Sequence, residues 1–142
     1  MSSALSPEFH QVLYVSRSRI DDLGDIRRLH DICKRNNARL ALTGVLLYAG
    51  GHFAQLLEGS PQAMGEVMWR IAHDERHTRM RKLFTKPMTR RACTAWAMKL
   101  VIADDADDQV RQLVEAAQPA IHEAAALLGR MQDLGTRARS VA

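Results

Sequence analysis

Polar residues interrupt apolar runs at a few points in this chain, and those points are where chemistry could reside. Tyr14 stands inside Val12-Leu13-Tyr14-Val15, and Gln55 lies between Ala54 and Leu56-Leu57. Asn36 and Asn37 form a pair, and Trp96-Ala97-Met98 opens a late apolar stretch. A buried Gln needs partners for both its N–H and its carbonyl, or it costs about 1–3 kcal/mol. An amide in the middle of a sheet, near a phenol and two Asn, could recognise a planar ligand rich in carbonyl and N–H groups. Taken singly, each position also has a plainer reading. Strand alternation can turn Gln55 to solvent, and Tyr14 can cover core with its hydroxyl at the rim.

Other chemistries find little support. The chain has no Gly-x-Gly-x-x-Gly, no Gly-Lys-Ser/Thr phosphate loop and no Cys-x-x-Cys. His73 and His77 are four apart, as in helical zinc sites, but Asp74 follows the first and no third ligand is evident. Cys33 falls on an apolar helical stripe, where a thiol is more often core than nucleophile. No substrate acid, base or nicotinamide site is visible, which argues against an enzyme.

Alternating strands and helices must position these residues. His10–Ser16 reads as a first strand. From Asp21, Leu23, Ile26, Leu29 or His30, and Cys33 recur at helical spacing, and that helix closes near Asn36-Asn37. Leu40–Tyr48 suits a buried strand, Ala49-Gly50-Gly51-His52 a tight turn, and His52–Glu58 its antiparallel partner. Ser60-Pro61 has the chemistry of a helix start, with Met64, Val67, Met68 and Ile71 as the apolar stripe. Met80–Met88, turned at Pro87, and Trp96–Ile102 read as the fourth and fifth strands.

The expected fold is α+β: a ferredoxin-like β-α-β-β-α-β-β core with a five-stranded mixed sheet and two helices on one face. Two C-terminal helices follow, one with Val110, Leu113, Val114 and Ala117, the other with Ile121, Ala125, Leu128 and Met131. Their stripes must be covered, either by the open sheet face or by a partner. The expected boundaries are a 9–103 core domain, a 104–134 helical extension, and flexible termini at 1–8 and 135–142.

Composition bounds the rest. The chain has 142 residues, a formal charge of +4 and 46% hydrophobic residues, which suits one soluble domain rather than a disordered chain. Two cysteines make a disulfide scaffold improbable and favour a reducing, cytoplasmic setting. No apolar run approaches the roughly 20 residues that span a bilayer, and Met1–Glu8 lacks a signal-peptide pattern. Seven cations and no acid lie between Arg76 and Arg91 (Arg76, Arg79, Arg81, Lys82, Lys86, Arg90 and Arg91). Such a cluster could meet nucleic acid, a diphosphate or an acidic partner, so a basic ferredoxin-like module that binds nucleic acid or a regulatory protein is one reading. Aromatics at 5% and the lack of an Arg-Gly-Phe strand motif weaken its RNA form.

The combination of motifs is more specific than any one of them. Val12-Leu13-Tyr14-Val15-Ser16-Arg17, Asn36-Asn37 through Thr43-Gly44 to Tyr48, and Phe53-Ala54-Gln55-Leu56-Leu57-Glu58-Gly59 occur in family order. With Ile71-Ala72-His73-Asp74-Glu75-Arg76-His77 and Trp96-Ala97-Met98, the chain resembles the BLUF family of blue-light sensors using FAD. The resemblance implies a flavin ring held between the two core helices. It implies that Tyr14 is the light-driven electron and proton donor and Gln55 the switch amide. It further implies Asn37 and Asn36 at the ring's polar edges, Leu29 and Ile71 as its sandwich, and Asp74, Arg76 and His77 near the ribityl and phosphate part. Trp96 and Met98 are implied as the pair that reports the Gln55 state outward. The output would pass to an effector protein or through a homo-oligomer, with no membrane or direct nucleic-acid contact. Cys33 and Ala54 depart from the family's usual hydroxyl and bulky apolar residues.

Overall fold

In the computed structural model, residues 9–93 and 97–137 are described. The elements run β1 (Phe9–Ser18), α1 (Leu23–Arg39), β2 (Thr43–Tyr48), β3 (His52–Gly59), α2 (Pro61–Ala72), β4 (His77–Met88) and β5 (Lys99–Ile102). A 3-10 turn at Asp104–Ala106 then leads into α3 (Asp107–Glu115) and α4 (Ile121–Arg137). The sheet order is β4-β1-β3-β2-β5, with β2 and β5 parallel and the other pairs antiparallel. This is the expected mixed α+β sheet with terminal helices. Local chemistry starts the helices: the Asp22 carboxylate accepts from the Gly24 and Asp25 N–H groups, and Ser60 Oγ accepts from Ala63 N at 3.1 Å. The acidic run from Asp104 to Asp108 supplies the first turns of the 3-10 segment and α3, where negative charge suits the helix dipole.

Strand alternation splits the interior into two cores. Val12, Tyr14, Leu46, Leu57 and Leu100 face α1 and α2, packing with Ile26, Leu29, Met64 and Val67. Leu13, Val15, Ala54 and Leu56 face the other way, against Val110, Leu113 and Val114 of α3 and Leu127 and Met131 of α4. The terminal helices therefore pack on the open sheet face. Leu127 and Met131 are fully buried there, each adding about 1.5–3 kcal/mol of apolar burial. Among the described residues, no helix is long and apolar enough to cross a membrane.

Several expectations change, and β2 starts at Thr43 rather than Leu40. β4 starts at His77 rather than Met80, and Pro87 lies within it opposite His10 instead of turning the chain. As the sheet's edge strand, β4 can hold a residue without an N–H. β5 starts at Lys99, and Ala97 and Met98 precede it because their carbonyls are taken by side chains of α1 rather than by a strand ladder, while Trp96 lies outside the described residues. In α4 the buried stripe is Ala124, Leu127 and Met131, while Ile121 is 88% exposed; α3 ends at Glu115, leaving Ala117 outside it.

The Gly44 of the Thr-Gly pair is fixed by packing. A Cβ there would lie 2.2 Å from the Leu56 backbone carbonyl oxygen. Gly44→Ala is expected to cost about 3 kcal/mol, because a backbone atom cannot yield as a side chain can. Thermal unfolding checks it: the midpoint falls by roughly 10 °C.

Candidate functional site

The site is a row of side chains on the α1/α2 face of the sheet. Tyr14 of β1 lies directly opposite Gln55 of β3, so both project to the same side as a cross-strand pair. Across β2 the row continues through Leu46, the partner of Gln55, to Leu100 of β5. Tyr14 and Gln55 are both buried, which rejects the plainer reading that Gln55 turns to solvent. Among the described residues the Gln55 amide nitrogen has one partner, the Met98 thioether sulfur at 3.8 Å.

Two small cavities sit over this row between α1 and α2. One is lined by Tyr14, Gln55, Asp74, Arg76 and His77, the other by Asn36, Asn37, Gln55 and Asp74. Leu29 of α1 and Ile71 of α2 line both, so aliphatic side chains close the cleft from two sides. Asn37 is buried and donates its Nδ2–H to the Ala97 carbonyl at 2.8 Å, while Asn36 is half-buried at the cleft. All the expected contact residues within the described range thus converge on one cleft. Trp96 lies outside the described residues.

At the mouth, Asp74 organises the turn after α2. Its carboxylate accepts from the Arg76 backbone N–H at 2.9 Å and the Arg76 guanidinium at 2.8 Å. His77 Nε2 lies 2.6 Å from the Ile71 carbonyl, and Nδ1 2.8 Å from Ser16 Oγ. A carbonyl only accepts, so Nε2 carries the hydrogen and, in the neutral ring, Nδ1 accepts from the Ser16 hydroxyl. That ring is tilted against Tyr14 with centroids 6.2 Å apart.

Electrostatics keeps the row neutral. Burial pushes the Tyr14 phenol well above its ordinary pKa, and nearby Cys33 and Asp74 push it further. Burial also raises the Cys33 thiol to about 12, with Asp74 adding to the shift and Arg76 opposing it. Tyr14 therefore holds its proton throughout the physiological range. Of the seven clustered cations, three are committed locally. Arg76 pairs with Asp74, Arg81 caps the end of α3 at the Leu113 and Ala116 carbonyls, and Arg91 binds the Ala41 carbonyl and Thr43 Oγ1.

Sequence reasoning missed Leu46, Phe53 and His30. Period-two alternation could have found the first two, since Phe53 precedes Gln55 by two in β3 and Leu46 is its register partner. His30 was visible only as a polar residue on an apolar helical stripe.

The donor set fits a flavin. Amides at Gln55, Asn36 and Asn37 offer donors and acceptors for a polar ring edge, between two aliphatic walls. Comparison with known proteins agrees. The family model for sensors of blue light using FAD, BLUF, matches residues 9–99. A subunit of photoactivated adenylate cyclase from Euglena longa is 37% identical over 75 residues, 52% of this chain but 9% of that protein. The blue light- and temperature-regulated antirepressor BluF of Escherichia coli is 35% identical over 66 residues, 44% of this chain and 16% of that protein. The chain thus spans a small part of the curated relatives it matches. The dark-state structure of the BLUF protein BlrB superposes with a TM-score of 0.74 at 29% identity, covering 90% of this chain and 98% of that one. The photo-activated state of BlsA shares the fold, with a TM-score of 0.75 at 20% identity over 94% of this chain and 99% of that one. With a family model matched over most of its length and a cleft of the right chemistry, the chain belongs to the BLUF family, the blue-light sensors whose cofactor is FAD.

Proposed function

We propose that the chain senses light through the Tyr14–Gln55–Met98 row and passes the result to its C-terminal helices without catalysing a reaction of its own. The observation that carries this reading is the placement of the Gln55 amide between a buried phenol and a thioether. Bound FAD supplies a blue-light absorber that becomes a strong oxidant on excitation. Tyr14 would be the group of this chain that holds the transferable electron and the Oη proton beside that oxidant. Gln55 can serve both directions of proton movement, because its amide offers a donor and an acceptor. Asn36, Asn37, Leu29 and Ile71 hold and orient the ring. Asp74, Arg76 and His77 hold the ribityl and phosphate end.

A rotation of the Gln55 amide has a defined consequence at Met98. A thioether sulfur accepts hydrogen bonds and cannot donate. Turning Gln55 Oε1 towards it replaces an N–H···S contact with two facing acceptors, so Met98 reads the orientation of the amide. The exchange is worth about 0.5–1.5 kcal/mol, enough for a modest population shift and too little for large refolding. Trp96, two residues before Met98, is proposed as its partner in that readout.

Residues 9–103 form the sensor in this reading and 104–134 the output layer. A groove of about 400 Å³ between β4 and α4, lined by Leu83, Phe84, Ile121, Ala124, Ala125 and Leu128, supports an effector protein or a second copy as the receiver. The deciding experiment is an absorption spectrum before and after blue light. The purified protein is expected to be yellow and to shift reversibly to the red. A colourless protein that takes up no added FAD, but binds nucleic acid in a salt-sensitive way through Arg79 and Lys82, would establish the rival binding module.

A further inference from the structure

The approach to β5 is held in an unusual way. Ala97 and Met98 precede the strand, and among the described residues β5 itself pairs only with β2, over four residues from Lys99 to Ile102. Two side chains of α1 take the place of a ladder there. Asn37 Nδ2 donates to the Ala97 carbonyl at 2.8 Å, and His30 Nε2 lies 2.8 Å from the Met98 carbonyl. Because a carbonyl only accepts, the His30 Nε2 must carry the hydrogen. His30 is 2% exposed, so this bond is shielded from competing water. Asn37 and His30 differ in what else they do. Asn37 lines the cofactor cleft, whereas His30 does not.

From this we infer that His30 is a positioning residue that pins the Met98 backbone, so that the thioether stays against the Gln55 amide. The inference rests on Met98 being the reader of that amide. With its carbonyl fixed, Met98 answers a turn of Gln55 through its side chain alone rather than by drifting with a loose strand end. Asn37 does not supply this constancy, because it holds the Ala97 carbonyl and lines the cleft. The His30 ring lines neither cavity, so the pin is made by a side chain that does not itself line the cleft. Return to darkness then needs only the amide to turn back, since its sulfur partner is already in place.

The test uses full-length, FAD-loaded protein with His30 replaced by Leu, Asn or Gln. Gln can place an N–H donor where the imidazole Nε2 lies, whereas Asn is too short and Leu has no donor. Losing one buried hydrogen bond should slow dark recovery by about two- to tenfold in His30→Leu and His30→Asn. His30→Gln should recover at close to the parent rate. A second readout needs no photocycle: the dark-state NMR resonances of the Met98 methyl and the Gln55 side-chain amide. Both should move in the Leu and Asn variants and return in the Gln variant. Unchanged resonances and recovery in all three would overturn the inference, and so would equal slowing in all three, which would implicate ring volume instead of the hydrogen bond. If the parent protein shows no red shift, the light-sensing reading fails, and the dark resonances still decide whether His30 positions Met98. Should the Leu variant not fold, the Asn and Gln pair gives the same contrast.

Discussion

Replacing Tyr14 with Phe leaves a yellow protein that no longer shifts to the red under blue light. The substitution removes one oxygen from a buried ring and leaves its packing between β3, β4 and the helices intact. The flavin therefore stays bound, and the loss falls on the photochemistry. Phe has no acidic hydrogen to surrender, and a benzene ring is a much poorer electron donor than a phenol. Gln55→Leu is expected to keep the flavin and lose the shift for a different reason, since the N–H and carbonyl that could exchange places are gone. Steady-state spectra under illumination test both. A normal red shift in both variants would refute the roles given to the row. Because burial, Cys33 and Asp74 hold the Tyr14 pKa above its ordinary value near 10, the parent shift should persist unchanged to about pH 10. A phenol of ordinary acidity would begin to lose it there.

The second large effect is on stability and lies on the opposite face of the sheet. Glu58 is fully buried, and its carboxylate collects three N–H donors. Gln11 Nε2 gives one at 2.7 Å, and the backbone amides of Ala92 and Cys93 give the others at 3.1 and 2.8 Å. Gln11 Oε1 has no partner among the described residues, so the pocket already holds one unsatisfied polar atom. Glu58→Ala strands all three donors in a closed core. The expected cost is about 3–5 kcal/mol, the range for breaking a buried polar network from one side. Urea unfolding measures it, and a loss under 1 kcal/mol would show that the network is dispensable. Glu58→Gln keeps the volume and one oxygen but turns an amide N–H toward a donor, and should fall in between.

The legible parts of this fold were those where one physical signal dominates. β1 to β3 announce themselves as short apolar runs, and α2 by the Ser60-Pro61 start. Tyr14 and Gln55 could be singled out because a polar group within such a run must be either satisfied or functional. β4 was blurred because it is an exposed, cationic edge strand with irregular register near Tyr14 and Val15, which breaks the alternation a reader relies on. The α4 stripe slipped because Ala124, Ala125 and Ala126 are interchangeable in a periodicity count, and only packing chooses among them. The start of β5 was hidden for a deeper reason. Its hydrogen bonds come from Asn37 and His30, some sixty residues earlier, and no local pattern encodes a partner that distant.

The division of the interior into two cores bears on how such a protein can diversify. Gln55 looks towards the cleft under α1 and α2, while its neighbours Ala54 and Leu56 look towards α3 and α4, so the two compartments meet through a single thickness of backbone. Substitutions on one side need not disturb packing on the other. The helical layer can be remade, for a new recipient or a new strength of response, while colour and photochemistry are inherited untouched. Colour and audience are separate traits, written on alternate residues of the same strands.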